Sequence, residues 1–240
     1  MIEMERTGMI YSEYVELMRD RPYTEPPMIT YTRGWGAMLS RVDEWPYIVS
    51  KVDASIDVVK LSPYRLNKDK GKYVHVTGFD SSAFKENERV TDIIMHRCGQ
   101  TIGTESFSGC IGLKRITIPK CVKRIEENAF KNCDRFEDVY YEGTLEEWRK
   151  IEIVSEKYEV EFGEFYPGTP IQKIRNAELR HIPGNEAMFR ATIHFNCDLD
   201  EMIPHGEERM LHSYMKGKMS VRVSDFEKWK SGRNDDSTIV

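Results

Sequence analysis

The chain has 240 residues, 40% of them apolar and 11% aromatic, enough for one large domain or two small ones with a buried core. Its net charge of −5 and pI near 5.8 argue against a general binder of nucleic acid or anionic membrane. No apolar run reaches the roughly 18 residues of a spanning helix, and the five cysteines show neither CxxC nor Cys/His zinc spacing.

Residues 1–22, MIEMERTGMIYSEYVELMRDRP, place Met9, Tyr11, Tyr14, Val15, Leu17 and Met18 on one side of a helix that Arg21-Pro22 stops. The stretch has no basic segment followed by an apolar one, so it does not read as a secretory signal. The expectation is a cytoplasmic protein, or one at the cell surface or secreted if a leader has been removed. PYTEPPMITYTRG (22–34) is Pro-rich and then strand-like at Met28–Thr32. Ala37–Lys51 has the pattern of a second amphipathic helix through Met38, Leu39, Val42 and Trp45, broken at Pro46. An apolar run at Ser55–Leu61 is followed by a polar turn, LNKDKGK (66–72), and by KYVHV (72–76), which alternates as a strand and is expected to precede the first full coil of a repeat array.

From Phe79 to Glu147 the chain repeats itself with a period of 23 residues: 79–101, 102–124 and 125–147. Phe84, Phe107 and Phe130 recur at that step, and so do Phe79, Ile102 and Ile125; Val90, Leu113 and Phe136; Ile93, Ile116 and Val139; Met95, Ile118 and Tyr141. A fixed period in the twenties is the mark of a solenoid, whose coils bury their apolar side only against one another. Parallel strands are expected at Asp92–Met95, Arg115–Ile118 and Asp138–Tyr141, with a fourth at Ala191–Phe195 and a shorter extended piece at Val122–Ile125. Alternation points Ile93, Met95, Ile116, Ile118, Val139 and Tyr141 inward. It leaves two outward columns, Asp92–Arg115–Asp138 and Ile94–Thr117–Tyr140. Open ends of such an array need covering, a role that falls to the N-terminal segment and to the chain after Glu147.

Residues 154–183 interrupt the pattern; YEVEF (158–162) and Ile171–Ile174 suggest a hairpin there. In the tail, Leu211–Met215 and Met219–Val223 read as a hairpin about Lys216-Gly217-Lys218, and DFEKWK (225–230) as a short helix. NDDSTIV, the last seven residues, is expected to be disordered.

SFSGCIGLKRITIPKCVKRI (106–125) resembles the BspA-like, treponemal-type leucine-rich repeats of bacteria, and VYYEGTLEEWRKI (139–151) is similar to the segment that closes such arrays. A stretch like GNEAMFRATIHFN (184–196) normally comes soon after; here about thirty residues intervene. The resemblance implies a mixed α+β protein built on a short leucine-rich-repeat solenoid, with parallel strands on one face, a helical N-terminal cap and a C-terminal β-hairpin plus short helix. The regions expected are 1–72 (N-terminal cap), 73–197 (solenoid with the 154–183 insertion) and 198–240 (tail). Members of the family are commonly adhesion and interaction proteins, which implies an unidentified protein partner and binding without catalysis.

The residues themselves offer no catalytic, cofactor or metal site. TYTRGWG (30–36) lacks the glycines and lysine of a phosphate loop, and the six histidines form no HExxH. KGKMSVRVSDFEKW (216–229) faintly resembles the wing and following helix of excisionase-like proteins, and Arg209, Lys216, Lys218, Arg222, Lys228, Lys230 and Arg233 make that end basic. IPHGEERM before it supplies no recognition helix, so nucleic acid is not the expected partner. A DNA-associated or enzymatic protein whose repeats support an active terminal module is the alternative. The expected partner-binding residues are Asp92, Ile94, Arg115, Thr117, Asp138 and Tyr140; the competing reading of Asp92–Arg115–Asp138 is a cross-strand salt-bridge ladder. Cys110 with Cys133, and Cys98 with Cys121, share repeat columns close enough for a disulfide, against the simpler reading of buried thiols in small core slots.

Overall fold

The computed structural model describes residues 9–33, 46–96, 100–154, 184–218 and 220–235. Its centre is a five-stranded parallel sheet made of β3 (Val58–Lys60), β6 (Asp92–Ile94), β8 (Arg115–Ile118), β10 (Asp138–Tyr141) and β12 (Thr192–His194), adjacent in the order β12-β10-β8-β6-β3. The register is the 23-residue step of the sequence: Asp92 pairs with Arg115 and Arg115 with Asp138, while Ile93, Ile116, Val139 and Ile193 form the next row. On the other side of the coils, β7 (Thr101–Ile102), β9 (Arg124–Ile125) and β11 (Glu152–Ile153) form a second parallel sheet.

Between the two sheets lies the main core. Phe84, Phe107 and Phe130 are buried in one continuous stack, with ring centroids 5.2 and 5.1 Å apart, extended by Phe79 at one end and Phe136 at the other. The turns that carry these rings repeat in backbone as well as in sequence. Ser82, Glu105 and Asn128 all have positive φ, as do Glu86, Gly109 and Asn132, each set at the same step. Turn amides then donate to the next coil: Phe84 N–H to the Ser106 carbonyl and Phe107 N–H to the Ala129 carbonyl, both at 2.9 Å. Cys110 and Cys133 are buried free thiols that donate to the carbonyls of Phe84 and Phe107, at 3.1 and 3.2 Å. Burial pushes the Cys110 thiol up to about 12, so it is held as a weak donor in its slot. Cys98 lies outside the described residues.

The coil before the repeats is where the structure departs from expectation. The strand paired with β6 is β3, inside the Ser55–Leu61 run; KYVHV belongs to β5 (Lys72–Phe79) in another sheet. The Val52 amide donates to the Ala83 carbonyl, so Val52 takes the place that Phe84 has one coil later. This coil is irregular because a hairpin, β4 (Tyr64–Asn67) with the first half of β5, is inserted before the chain regains the second face at Phe79. β2 (Tyr47–Val52) pairs with Val76–Phe79 of β5, and β1 (Ile29–Arg33) pairs antiparallel with β2. Ala37–Lys51 is therefore not one helix: Tyr47 onward is strand, and residues 34–45 lie outside the described residues. β2 is rich in β-branched residues, Ile48, Val49 and Val52, which suit a strand better than a helix.

At the other end, Thr144 and Glu147 form a reciprocal capping box that opens α2 (Leu145–Trp148) and turns buried Trp148 against Tyr141. The hairpin expected in the insertion falls in residues 155–183, outside the described residues. The chain returns through Asn185 and α3 (Glu186–Arg190) to β12. Asn185 is fully buried. Its Oδ1 accepts from Phe130 N–H at 3.0 Å, and its Nδ2 donates to the carbonyls of Glu126 and Val154 at 3.0 and 2.9 Å. A side-chain amide thus answers the peptide groups that a further coil would have answered.

The tail also differs. Leu211–Met215 is part of a helix, α4 (Glu207–Met215), and β13 (Ser220–Arg222) pairs antiparallel with β5 instead of with a hairpin partner. α5 (Val223–Asp235) is longer than the short helix expected. Leu211, Met215, Val221 and Phe226 close a separate small core on Tyr64. The apolar residues of 211–215 fall at i and i+4, one helical turn apart, so the same residues serve a helix face.

Two substitutions test this architecture. Phe107→Ala removes the middle ring of the stack and should cost about 3–5 kcal/mol in denaturant unfolding. Asn185→Leu leaves the Phe130 amide and the Val154 carbonyl unanswered and strips one of two donors from the Glu126 carbonyl, and should cost about 2–4 kcal/mol despite its apolar side chain.

Candidate functional site

Strand alternation directs Val58, Asp92, Arg115 and Asp138, and next to them Lys60, Ile94, Thr117, Tyr140 and His194, away from the phenylalanine core. That face is not open. Across it runs α1 (Tyr11–Arg19), the helix read at the N-terminus, and beside it the 3₁₀ turn Leu199–Met202. Tyr14, Val15 and Met18 of α1, Ile94 and Tyr140 of the sheet, and Cys197, Leu199 and Met202 of the return segment bury one another in a second apolar cluster. α1 thus covers a sheet face, not an end of the coil stack.

The six residues expected to bind a partner all lie on this face, and five of them are buried. Tyr140 is stacked on both sides, on Tyr14 at 4.4 Å and on His194 at 4.8 Å between ring centroids, and its hydroxyl donates to the Met9 carbonyl at 2.7 Å. Ile94 packs in the α1 cluster. Arg115 Nε donates to Asp92 at 2.6 Å while its guanidinium lies 5.6 Å from the Tyr14 ring centre. Asp138 does not continue that ion pair: its Oδ1 accepts from His194 Nε2 at 2.9 Å and its Oδ2 from Met9 N–H at 3.4 Å. Thr117 points outward, but its hydroxyl bridges Met95 N–H and Met95 C=O at 2.7 Å each, replacing ladder bonds beyond the end of β6. Burial, with the nearby Asp92 carboxylate, holds the Tyr14 phenol well above an ordinary tyrosine, so the aromatic stack stays neutral.

Lys60 is the side chain of this face that sequence reasoning missed. It is 1% exposed, and its Nζ donates to the carbonyls of Met18, Arg19 and Arg21 at 2.8, 2.6 and 2.9 Å. The Met18 and Arg19 carbonyls belong to the last turn of α1 and the Arg21 carbonyl to the chain just past its C-cap, the end where a positive charge is favoured. The Tyr23 ring lies 5.3 Å from the ammonium. Burial pulls the Lys60 pKa below the ordinary lysine value, and Asp20 and Glu208 oppose that shift. The signal available in the sequence was a lysine between Val59 and Leu61 in an otherwise apolar run.

The rest of the α1 seat is main chain. Tyr11 Oη donates to the Asp198 carbonyl at 2.5 Å and Arg19 Nε to the Glu201 carbonyl at 3.0 Å. His96, held neutral by a burial that lowers its pKa to about 3, donates from Nδ1 to the Leu199 carbonyl and so pins the return segment to the sheet. His212 joins Tyr64 and Asp200, fixing α4 to the hairpin and the 3₁₀ turn. Much of the basic character of the tail is answered internally: Lys216 lies 3.8 Å from Asp200, Lys230 pairs with Glu207 and Glu227, and Lys218 covers the Tyr214 ring. Among the described residues no three His, Cys, Asp or Glu side chains converge on a point that could hold a metal ion, and no helix is long and apolar enough to cross a membrane.

The stacked coils, the 23-residue register and the recurrent phenylalanines agree with a family model: residues 75–154 match the BspA type leucine rich repeat region in six copies. That stretch is a BspA-type leucine-rich repeat. Solved structures of the same kind include a leucine-rich repeat protein of T. pallidum, 16% identical over 50% of this chain and 53% of that one, with a TM-score of 0.40. Another, from Bacteroides ovatus, is 25% identical over 47% of this chain and 33% of its own, with a TM-score of 0.33. A leucine rich cell surface protein from Faecalibacterium prausnitzii is 18% identical, covering 51% and 40%, with a TM-score of 0.28. The chain thus spans about half or less of each of these proteins. Comparison with curated proteins gave no match.

In these BspA-type repeats Lys60 ties the C-terminal end of the N-terminal helix to the strand face. Lys60→Met keeps the stem and removes the three donors, and should weaken α1 docking by about 2 kcal/mol. In native-state hydrogen exchange the amides of Tyr14–Arg19 should then exchange at least about tenfold faster, while those of β8 and β10 keep their protection.

Proposed function

We propose that this protein is a non-catalytic interaction scaffold whose BspA-type repeats bind a protein partner through the strand face, with Asp92, Ile94, Arg115, Thr117, Asp138 and Tyr140 at its centre. The observation that carries this reading is that the face already holds a polypeptide segment. α1 is gripped there by ring stacking, by apolar burial and by side-chain bonds to its main chain. A surface serving only as a salt-bridge ladder would need none of these. Of the possible ladder, Arg115–Asp92 is an ion pair, and Asp138 is spent on His194 and α1. Thr117 contributes by shaping the face, since its hydroxyl is engaged with Met95.

The match to the repeat family supports the interaction role, because a repeat scaffold presents a broad regular surface with no reactive centre. The face is open to a partner only when α1 is off it.

The test is affinity capture from the source cells with three baits: the natural chain, Tyr14→Ala, which loosens α1, and Tyr14→Ala combined with Ile94→Glu. The single variant should retain a protein more strongly than the natural chain, and the double variant should lose it. An identical set of captured proteins on all three baits would exclude the strand face as the binding surface.

A further inference from the structure

We propose that the strand face is a groove for a short amphipathic helix of defined direction, and that α1 is its resident occupant, exchanged for a partner's helix of the same anchor spacing. This rests on the strand face being the binding surface and adds what binds there. Three observations carry it.

First, the groove has the length of a helix like α1. From β10, where Asp138 accepts from Met9 N–H, to β3, where Lys60 meets the Met18 carbonyl, are three strand spacings. At about 4.8 Å each they span about 14 Å. Within α1, Tyr11 to Met18 is seven helical steps and rises about 10.5 Å, and Met9 with the extended Ile10 before the helix carries the chain over the remainder.

Second, the groove has polarity. A carboxylate, Asp138, stands at the helix N-terminal end and an ammonium, Lys60, at the C-terminal end, which is the arrangement that complements the helix dipole. A helix running the other way would meet like charge at both ends.

Third, the end contacts read main chain, not side chains. Lys60 takes three carbonyls, Tyr140 takes the Met9 carbonyl and Asp138 the Met9 amide. Any helix of suitable length with a like lead-in and exit can offer the same groups, since Met9 and Arg21 flank α1. Selectivity is left to the anchors, Tyr11, Tyr14, Val15 and Met18, at i, i+3, i+4 and i+7, facing Tyr140, Ile94 and Val58. The partner class is therefore a helix of about ten residues with aromatic residues at the first two anchors and aliphatic ones at the last two.

The tether sets the competition. α1 leads directly into residues 20–28, of which Thr24 is bonded to β3 through Lys60 N–H and C=O. A short tether keeps α1 at an effective concentration on the order of millimolar, so a free helix must outcompete it.

The experiment uses the full chain and, as probe, a fluorescent synthetic peptide of residues 9–22, read by anisotropy. Val15→Asp with Met18→Asp ejects α1 without touching the groove, and hydrogen exchange of the α1 amides verifies the ejection. The opened chain should bind the peptide at least tenfold more tightly than the natural chain does. Adding Lys60→Met should lower that affinity about tenfold, and a peptide with Tyr14→Ala should bind more weakly still; simple apolar adhesion would not respond to Lys60. If the opened variant does not melt cooperatively, Tyr14→Ala is the milder opening mutation, read by the same titration. Equal binding of a scrambled peptide, or no gain on opening, overturns the proposal. If that occurs while capture still depends on Ile94, the helix specification fails and the strand-face reading stands; if capture is also indifferent to Ile94, both fail.

Discussion

The strands and alternate turn amides of a stacked coil look to the neighbouring coil for their hydrogen bonds, and this obligation governs the molecule. A coil of 23 residues holds two short strands and tight turns whose amides alternate: Ser106, Ser108 and Cys110 donate within the coil, while Phe84, Glu86, Phe107 and Gly109 donate from turn to next coil. The interior column of phenylalanines supplies the apolar burial that makes stacking favourable, and the amide rows fix its register. An array of this kind is self-consistent in its middle and unsatisfied wherever it stops. Much of the rest of the chain covers what the array leaves open: Asn185 at one end, β1 and β2 at the other, and α1 with the 199–202 turn across the strand face.

This obligation also explains how much was legible. The repeats were readable because the same constraint acts at every coil and writes the same residue types at the same step. The inward rows of Ile93, Ile116 and Val139 and the strands arise from it, while the closing Trp148 segment was legible only through its likeness to the end of such arrays. The irregular first coil was not readable, because only seven residues separate Val52 from Val59, where nine separate Phe84 from Ile93, and a hairpin is inserted after Leu61. Period arithmetic fails once one step is shortened and another lengthened. Leu211–Met215 misled for a different reason. Over five residues, alternation and helical spacing place nearly the same side chains inside, and what decided between them was the distant edge of β5, which took Ser220–Arg222 as its partner.

The outer strand face shows where local reading ends. Strand alternation placed Ile94, Tyr140 and their neighbours on the outer side of the sheet, and there they are; nothing local says whether an outer side meets water or protein. Similarly, the stripe Tyr11, Tyr14, Val15, Met18 says that α1 must be buried and leaves open where. The two facts complement each other, since an apolar outer column lacks a cover and an apolar helix lacks a seat. Lys60 is the residue at which they join, a charge in an apolar run that is tolerable because three carbonyls of the incoming helix surround it.

Helix and face are moreover stable only together. A helix of nine residues is too short to persist alone in water, because nucleation costs more than so few turns return. Removed from the sheet, α1 would lose its fold along with its seat, and the sheet would expose Ile94, Tyr140 and an uncompensated Lys60. Docking of α1 is thus a local folding reaction, its free energy the difference between the favourable packing and bonding on the face and the cost of ordering the helix. That difference is smaller than the packing alone suggests, since ordering residues costs about 1–2 kcal/mol each in backbone entropy. A partner whose helix is already formed when it arrives does not bear that ordering cost. It therefore needs fewer or poorer interactions than α1 makes to take the same place, and a face firmly covered at rest can still be yielded to a preformed helix.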